Sequence, residues 1–423
     1  MAYHHSLSQI EQLAATISES VARLKKVLSS HGLPLPSFDE NAHFQLPEAT
    51  IADQDAIVDA TAELHDLLLD PMTLIREYGG HNNSICFQAI SRFGIAEMVP
   101  LGSQVTFKDI AKQTGLSEDI TCRLLRYAMT MRVFCEPEQG MVSHTAASRM
   151  LITPSICDWL RVGTEELWPA SVKTLDALQK WPSSSDPRET GFSLANNTDK
   201  SLYEVLQHDP KRASQFARAM AAYTQSPGFS ISHISDNYGW STIGNAQIVD
   251  VGGAQGHVAM KLASQFPNLS FIVQDMSEVI KGAESLLSQD IHDRVQFMAH
   301  DLFAEQTVQA DMFIFRWVLH NWSDYHCILI LRAQIPALKP GAIIMIQDGY
   351  LPERGTSALW REKYKRSDDL SMASMFNSKE RTASEWKDLL VSADPRFVMR
   401  SVVHPNGSAL GIIEVVWEPQ DEE

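Results

Sequence analysis

Residues 247–256 read Q-I-V-D-V-G-G-A-Q-G, and no other stretch of the chain narrows the possible folds as much. Ile248, Val249 and Val251 make a nearly continuous apolar run, as a strand buried on both faces requires. The run meets three glycines, Gly252, Gly253 and Gly256. A helix-period stretch follows, with Val258, Leu262 and Phe266 on one side, and Pro267 halts it. Strand, glycine turn and helix form the opening unit of a doubly wound α/β domain. At such a turn the backbone can approach a bound nucleotide because no Cβ intervenes. The expected fold class is therefore α/β and Rossmann-like, with a cofactor site at this turn.

The pattern downstream repeats the strand–helix alternation. Residues 269–274, 294–298, 312–315 and 342–347 read as further strands separated by helices, which implies a parallel sheet with right-handed crossovers. Two late strands fit 397–403 and 409–416.

Upstream, the 423 residues leave room for a second domain. Residues 8–28 read as an amphipathic helix with a capping box at Ser8 and Glu11 and an apolar stripe of Ile10, Leu13, Ile17, Val21, Leu24 and Leu28. That stripe either packs on its own domain or meets a partner. A Pro-containing linker occupies 32–50, and helices resume at 52–70 and 84–99. Residues 107–152 have a helix–turn–helix–hairpin grammar. Phe107, Ile110 and Ala111 suit a first helix, Gly115 a turn, and Ser117 the cap of a second helix carrying Ile120, Leu124, Ala128 and Met131. Segments 133–135 and 141–143 flank Gln139-Gly140 as a small hairpin. This is a winged helix, a shape that often enters DNA. Here six Lys/Arg face five Asp/Glu over 105–150, and the whole chain carries a net charge of −17. Both argue against nucleic-acid or anionic-membrane binding and favour a structural or dimerising role. Residues 155–180 and 200–236 read as helical, around a polar loop at 181–197. Their large apolar residues, among them Trp159, Trp168, Phe216, Met220 and Phe229, are core or the wall of a substrate pocket. The expected domains are a helix and linker (1–50), a winged-helix domain (51–155), a helical connector (156–236) and the α/β domain (237–423).

No run of 18 apolar residues occurs, and residues 1–8 lack the apolar core of a signal peptide. Cys86, Cys122, Cys135, Cys157 and Cys327 form no C-x-x-C pair, which fits reduced thiols in a cytoplasmic protein. No metal is expected, and His4 and His5 read as a terminal pair only.

The candidate chemistry sits where the strands end. A nicotinamide enzyme would show G-x-G-x-x-G; here the glycines read G-G-x-x-G, so that fingerprint is half met. Carboxylates follow three successive strands or lie within them: Asp250, Asp275 (beside Met276) and Asp301 (in H-D-L-F). Asp275 can take both ribose hydroxyls of a nucleoside. Asp301 can receive an exocyclic adenine amine, with Leu302 and Phe303 beside the ring. A nucleoside-bearing cofactor without a pyrophosphate fits this set. A second constellation, R-W-V-L-H-N-W-S-D-Y-H at 316–326, puts His320 in the turn after the fourth strand. Asp348 ends the fifth strand and Glu380 lies in N-S-K-E-R-T. An imidazole with a free pKa of about 6.5 is the natural general base near neutrality, and an acid on its other nitrogen fixes the tautomer.

At these residues the chain resembles the small-molecule O-methyltransferases that use S-adenosylmethionine, both the plant caffeate and flavonoid type and fungal secondary-metabolite relatives. The resemblance spans roughly residues 75–418. It is carried by V-D-V-G-G-A-Q-G, F-I-V-Q-D-M, H-D-L-F, L-H-N-W-S-D and K-E-R-T. It implies that Gly252 and Gly253 cradle the methionine end of the cofactor, that Asp275 binds its ribose and Asp301 and Leu302 its adenine. It also implies that the Arg316 region closes the pocket and that His320 is the base flanked by Asp348 and Glu380. The N-terminal winged helix would make a homodimer and reach into the partner's substrate site. Arg316, Asn321 and Asp348 stand where plant members have Lys, Asp and Glu. The segment 372–380 is one residue shorter, which weakens the transfer of substrate contacts to Met372, Met375 and Asn377; Trp322, Trp168, Phe216 and Met220 complete the candidate substrate wall. Residues 1–50 extend beyond the plant pattern.

The reaction expected is in-line transfer of a methyl group to a phenol or enol oxygen of a small aromatic or polyketide-type metabolite while His320 removes the proton. A phenol of pKa about 10 is roughly 3–4 units too weak an acid to ionise fully onto a free imidazole, so proton loss accompanies the transfer. The rival reading is a pericyclase or dehydratase that keeps the cofactor as a fixed charge. The presence of His320 favours methyl transfer.

Overall fold

The computed structural model describes residues 8–418. His4, His5 and most of the terminal segment read above as lacking a signal peptide lie outside the described residues. The chain divides into two compact units. The first comprises 1–169, 209–223 and 355–363, and the second 170–208, 224–354 and 364–423.

In the first unit, helix Gln9–Ser30 starts at the Ser8–Glu11 capping box and pairs with helix Ile51–Leu67. Arg23 meets Asp53 at 2.8 Å and Gln9 donates to Glu63. Helices Phe107–Thr114 and Glu118–Thr130 are capped by Thr106 and Ser117. They bury Phe107, Ile110, Leu125 and Ala128 in a core with Ile90, Ile95 and Val142. The expected hairpin differs. Strand β2 (Met141–Val142) pairs antiparallel with β1 (Val105–Thr106), and 133–135 contributes a lone bridge, Cys135 to Ser143. The reason is local: Arg132 and Phe134 hold φ of 63° and 64°, which no extended strand tolerates. Helix Pro154–Arg161 runs through a π turn, Val162–Leu167, into helix Trp168–Lys180, a widened turn that no periodicity announces.

The second unit is built on a seven-stranded sheet ordered β5-β4-β3-β6-β7-β9-β8. Its strands are β3 (Ala246–Val251), β4 (Leu269–Asp275), β5 (Val295–Ala299), β6 (Ala310–Arg316), β7 (Leu338–Gly349), β8 (Phe397–Val403) and β9 (Leu410–Trp417). Strands β3 to β7 are parallel; β9 and β8 close one edge antiparallel. The two-residue period splits the apolar strands between two cores. Val249, Val251, Phe313, Phe315, Ile344 and Ile346 face one; Ile248, Met312, Ile314 and Met345 face the other. Strand order reverses between β3 and β6, and at such a reversal a crevice opens at the carboxyl ends of the strands. The loop read as polar at 181–197 contains a short helix, Gly191–Ala195, whose Phe192 is fully buried.

Candidate functional site

The turn after β3 is shaped by contacts that exclude side chains. Gly252 lies at φ 73°, and a Cβ there would stand 2.8 Å from Val318 Cγ2. A Cβ on Gly253 would stand 2.5 Å from Asp250 Cγ, and one on Gly256 2.9 Å from the Phe297 ring. The amides of Gly252 and Gly253 both donate to Gln274 O, tying the turn to β4. Asp250 is buried, and its Oδ2 lacks a hydrogen-bond partner among the described residues. Burial pushes its carboxyl up to about 7; Arg316 pulls it down and Asp275 adds a further push.

Asp275 ends β4 facing the same turn. Its Oδ2 accepts from Ala254 N at 2.9 Å and its Oδ1 from Met276 N at 2.8 Å. Burial nonetheless raises its pKa against those two bonds. Each oxygen keeps one lone-pair direction for a further donor. Tyr203 contributes from outside any motif. Its ring stacks on Phe376 with centroids 5.6 Å apart, and burial, then the charge of Asp275, pushes its phenol up to about 12. Asp301 Oδ1 accepts from Phe303 N, and the Phe303 ring stands edge-on to Trp322 at 4.8 Å. Leu302 packs on the adjacent core, while Met276 is exposed.

The turn after β6 carries the second constellation. Arg316 donates to Gln347 Oε1 and to Phe229 O. Trp317, at φ 54°, lies 4.7 Å from Phe229 and nearly parallel to His320. His320 Nδ1 meets Glu380 Oε1 at 2.9 Å, and the amides of Leu319 and His320 both donate to Asp348 Oδ2. With Nδ1 donating to a carboxylate, Nε2 is the acceptor nitrogen. Burial, the largest influence on His320, lowers its pKa, but the charge and hydrogen bond of Glu380 and the charge of Asp348 outweigh it, so the net direction is up. Asp348 is fully buried, and desolvation takes its carboxyl up to about 6.

The turn that carries His320 is held in place by a residue to which the motif analysis gave no role. Fully buried Arg381, next to Glu380, donates to Asp324 at 2.8 and 2.9 Å and to Trp322 O at 3.0 Å. It fastens the loop after His320 to the segment bearing Glu380. Gly349 matters too: a Cβ there would fall 1.9 Å from Glu380 Oε2. Arg381 is itself the arginine of K-E-R-T, and that was the available signal; nothing in sequence marked Gly349 or Tyr203.

Of the candidate substrate residues, Trp322, Met372, Met375 and Asn377 lie in the second unit, whereas Trp168, Phe216 and Met220 belong to the first. Asn377, at φ 53°, gives its amide hydrogens to Asp186 O and Glu189 O. Met375 is buried.

A glycine cradle, a buried carboxylate oxygen without a partner, and a second carboxylate with free lone pairs fit a nucleoside cofactor with a polar tail. With His320 and its two carboxylate neighbours at the same sheet edge they point to a group-transfer enzyme of the doubly wound class. Comparison narrows the class. An O-methyltransferase domain profile matches residues 188–394, and an O-methyltransferase dimerisation domain profile matches 77–154. The O-methyltransferase PaMT of Phomopsis amygdali is 41% identical over 413 residues, covering 97% of each chain. The grayanic acid biosynthesis cluster O-methyltransferase of Cladonia grayi is 37% identical, covering 98% of this chain and 89% of its own. A solved structure titled a pericyclic reaction enzyme shares the fold, with a TM-score of 0.72 at 24% identity, covering 95% of this chain and 100% of that one. The chain belongs to the S-adenosylmethionine-dependent O-methyltransferase family. It is an enzyme whose cofactor is S-adenosylmethionine and whose acceptor is a small molecule. Among the described residues no helix is long and apolar enough to cross a membrane.

Proposed function

We propose that this enzyme methylates a hydroxyl of a small aromatic or polyketide-type secondary metabolite, with His320 as general base. The observation that carries the reading is the 2.9 Å contact of His320 Nδ1 with Glu380, which leaves Nε2 as a basic nitrogen at the edge of the sheet. S-adenosylmethionine, when bound, supplies an electrophilic methyl on a sulfonium. Gly252, Gly253, Gly256 and Asp250 would hold its methionine end. Asp275 and Met276 would hold the ribose, Asp301, Leu302 and Phe303 the adenine, and Arg316 would close the site. His320 Nε2 accepts the acceptor's hydroxyl proton as the oxygen becomes nucleophilic. Glu380 stabilises the imidazolium that results, Asp348 fixes the loop through two amides, and the proton then passes to solvent. The apolar surfaces of Trp317, Met372 and Met375 would orient a flat acceptor, and orientation accounts for much of the acceleration in such transfers. The protein would act as a cytoplasmic homodimer.

The test follows labelled methyl into phenolic and polyketide acceptors for wild type and His320→Ala. Loss of about 10²–10⁴ in kcat with unchanged affinity for S-adenosylhomocysteine supports the base. Full methyl transfer by the variant refutes it. Consumption of an acceptor without methyl transfer, yet dependent on bound cofactor, would instead identify a pericyclase or dehydratase.

A further inference from the structure

We propose that Gln347 is a positioning residue of the cofactor site: its amide oxygen fixes the guanidinium of Arg316, which presents its charge to the carboxylate at the amino-acid end of S-adenosylmethionine. The inference rests on the reading that places Asp250 and Arg316 in that site.

Arg316 and Gln347 are direct partners in the register of β6 and β7. Residues two apart share a face of a strand, so Arg316 lies on the face of Ile314, Gln347 on that of Met345 and Asp250 on that of Ile248. Those three apolar residues belong to one core. Asp250, Arg316 and Gln347 therefore stand on one face of the sheet near the carboxyl ends of β3, β6 and β7, across the reversal of strand order.

Each of the three carries an imbalance. Half-buried Arg316 donates through Nη1 to Gln347 Oε1 and through Nη2 to Phe229 O, both neutral acceptors. Among the described residues it forms no ion pair. A guanidinium has five N–H donors, so others remain for a ligand. Gln347 is fully buried, and its Nε2 has no hydrogen-bond partner among the described residues. Arg316 thus sets the orientation of the carboxamide, whose nitrogen in place of its oxygen would bring donor against donor. Asp250 Oδ2 also lacks a partner and stands 2.6 Å from the position of a Cβ on Gly253, beside the glycine turn.

A cation drawn from water and met only by neutral groups is costly unless an anion joins it. The cofactor carries one anionic group, an α-carboxylate, next to an α-ammonium. An unpartnered carboxylate oxygen and a guanidinium without a counter-ion, on one face, match that pair of charges. Gln347 and Phe229 O hold Arg316 from two different elements, β7 and the turn Pro227–Phe229. Such bracing removes in advance the rotamer freedom that a long side chain otherwise loses on binding. Gln347 acts through Arg316 and needs no contact of its own with the cofactor.

Isothermal titration of the full-length protein tests this. The probes are S-adenosylhomocysteine and 5′-methylthioadenosine, which keeps the nucleoside and thioether but lacks the amino-acid end. Wild type should prefer S-adenosylhomocysteine by about tenfold or more, the scale of a charged hydrogen bond. Gln347→Leu removes the acceptor, and Gln347→Glu keeps it but cancels the charge of Arg316. Each should weaken S-adenosylhomocysteine about tenfold and leave 5′-methylthioadenosine within about twofold. Gln347→Glu, which keeps the wild-type shape, decides if the leucine variant does not fold. In the glutamate variant an unchanged preference, or an equal loss for both ligands, marks a structural role and overturns the proposal. Arg316→Met separates the two readings. If it abolishes the preference while both Gln347 variants keep it, the role of Gln347 alone is overturned. A preference that survives Arg316→Met overturns the placement of Arg316, and the proposal with it.

Discussion

His320 holds its proton more firmly than a free imidazole because Glu380 and Asp348 together outweigh the cost of burial. The sign for catalysis follows. In the role proposed for it His320 must be neutral to act, so activity should fall as pH drops through a pKa that lies above the usual 6.5 of a histidine. Glu380→Gln removes the largest upward influence. The acid limb of kcat/KM should therefore move to lower pH, while kcat at pH 8 drops because the imidazolium loses its counter-charge. A pH–rate profile checks this; a limb that stays in place would show that Glu380 does not govern the titration. The chemical types at this scale were legible in sequence: the histidine, Asp348 and the three glycines stand at or just after strand ends that were read, and Glu380 was marked by K-E-R-T ahead of a helix. The residues that fix them were not. Gly349 matters only through an approach across 31 residues of sequence, which has no one-dimensional signature.

At the level of elements, Gly349 ends β7 with its backbone against Glu380. Gly349→Ala should push the carboxylate off His320, lowering kcat at least tenfold while affinity for S-adenosylhomocysteine, which depends on the β3 and β4 turns, stays within about twofold. Titration calorimetry beside steady-state kinetics reads both. A second test concerns the fully buried glutamine set. Gln274 and Gln306 exchange reciprocal hydrogen bonds at 2.9 and 2.7 Å, and Gln306 also donates to Gln334 and accepts from Val308 N. Gln306→Leu strands those groups and should cost about 1–3 kcal/mol per unsatisfied group, visible as a lower denaturant midpoint. The strands themselves were legible because five of them are apolar on both faces. The wing and the 181–197 loop were not. Arg132 and Phe134 break the extended run by their dihedrals, and Phe192 is buried within a stretch whose neighbours are polar.

For the whole molecule, the match to a dimerisation domain over 77–154 puts assembly at the centre of the next experiment. Helix Gln9–Ser30 keeps Ile10 and Val21 exposed while it pairs with Ile51–Leu67. Light scattering coupled to size exclusion should give a dimer for the full chain and a weaker dimer, shifted toward monomer at micromolar concentration, after deletion of residues 1–50. A monomeric full chain would remove the homodimer reading. Overall architecture was the most legible level, because strand–helix alternation dictates a doubly wound sheet whatever the individual contacts. The approach of Gly349 to Glu380 also has a hereditary side. A lineage can lengthen the side chain at 349 only after position 380 has shortened, since the reverse order passes through a clashing intermediate. The two positions form a ratchet: descendants that abandon the base's carboxylate are free to fill 349, and once they have, the glutamate is barred from returning by any single substitution.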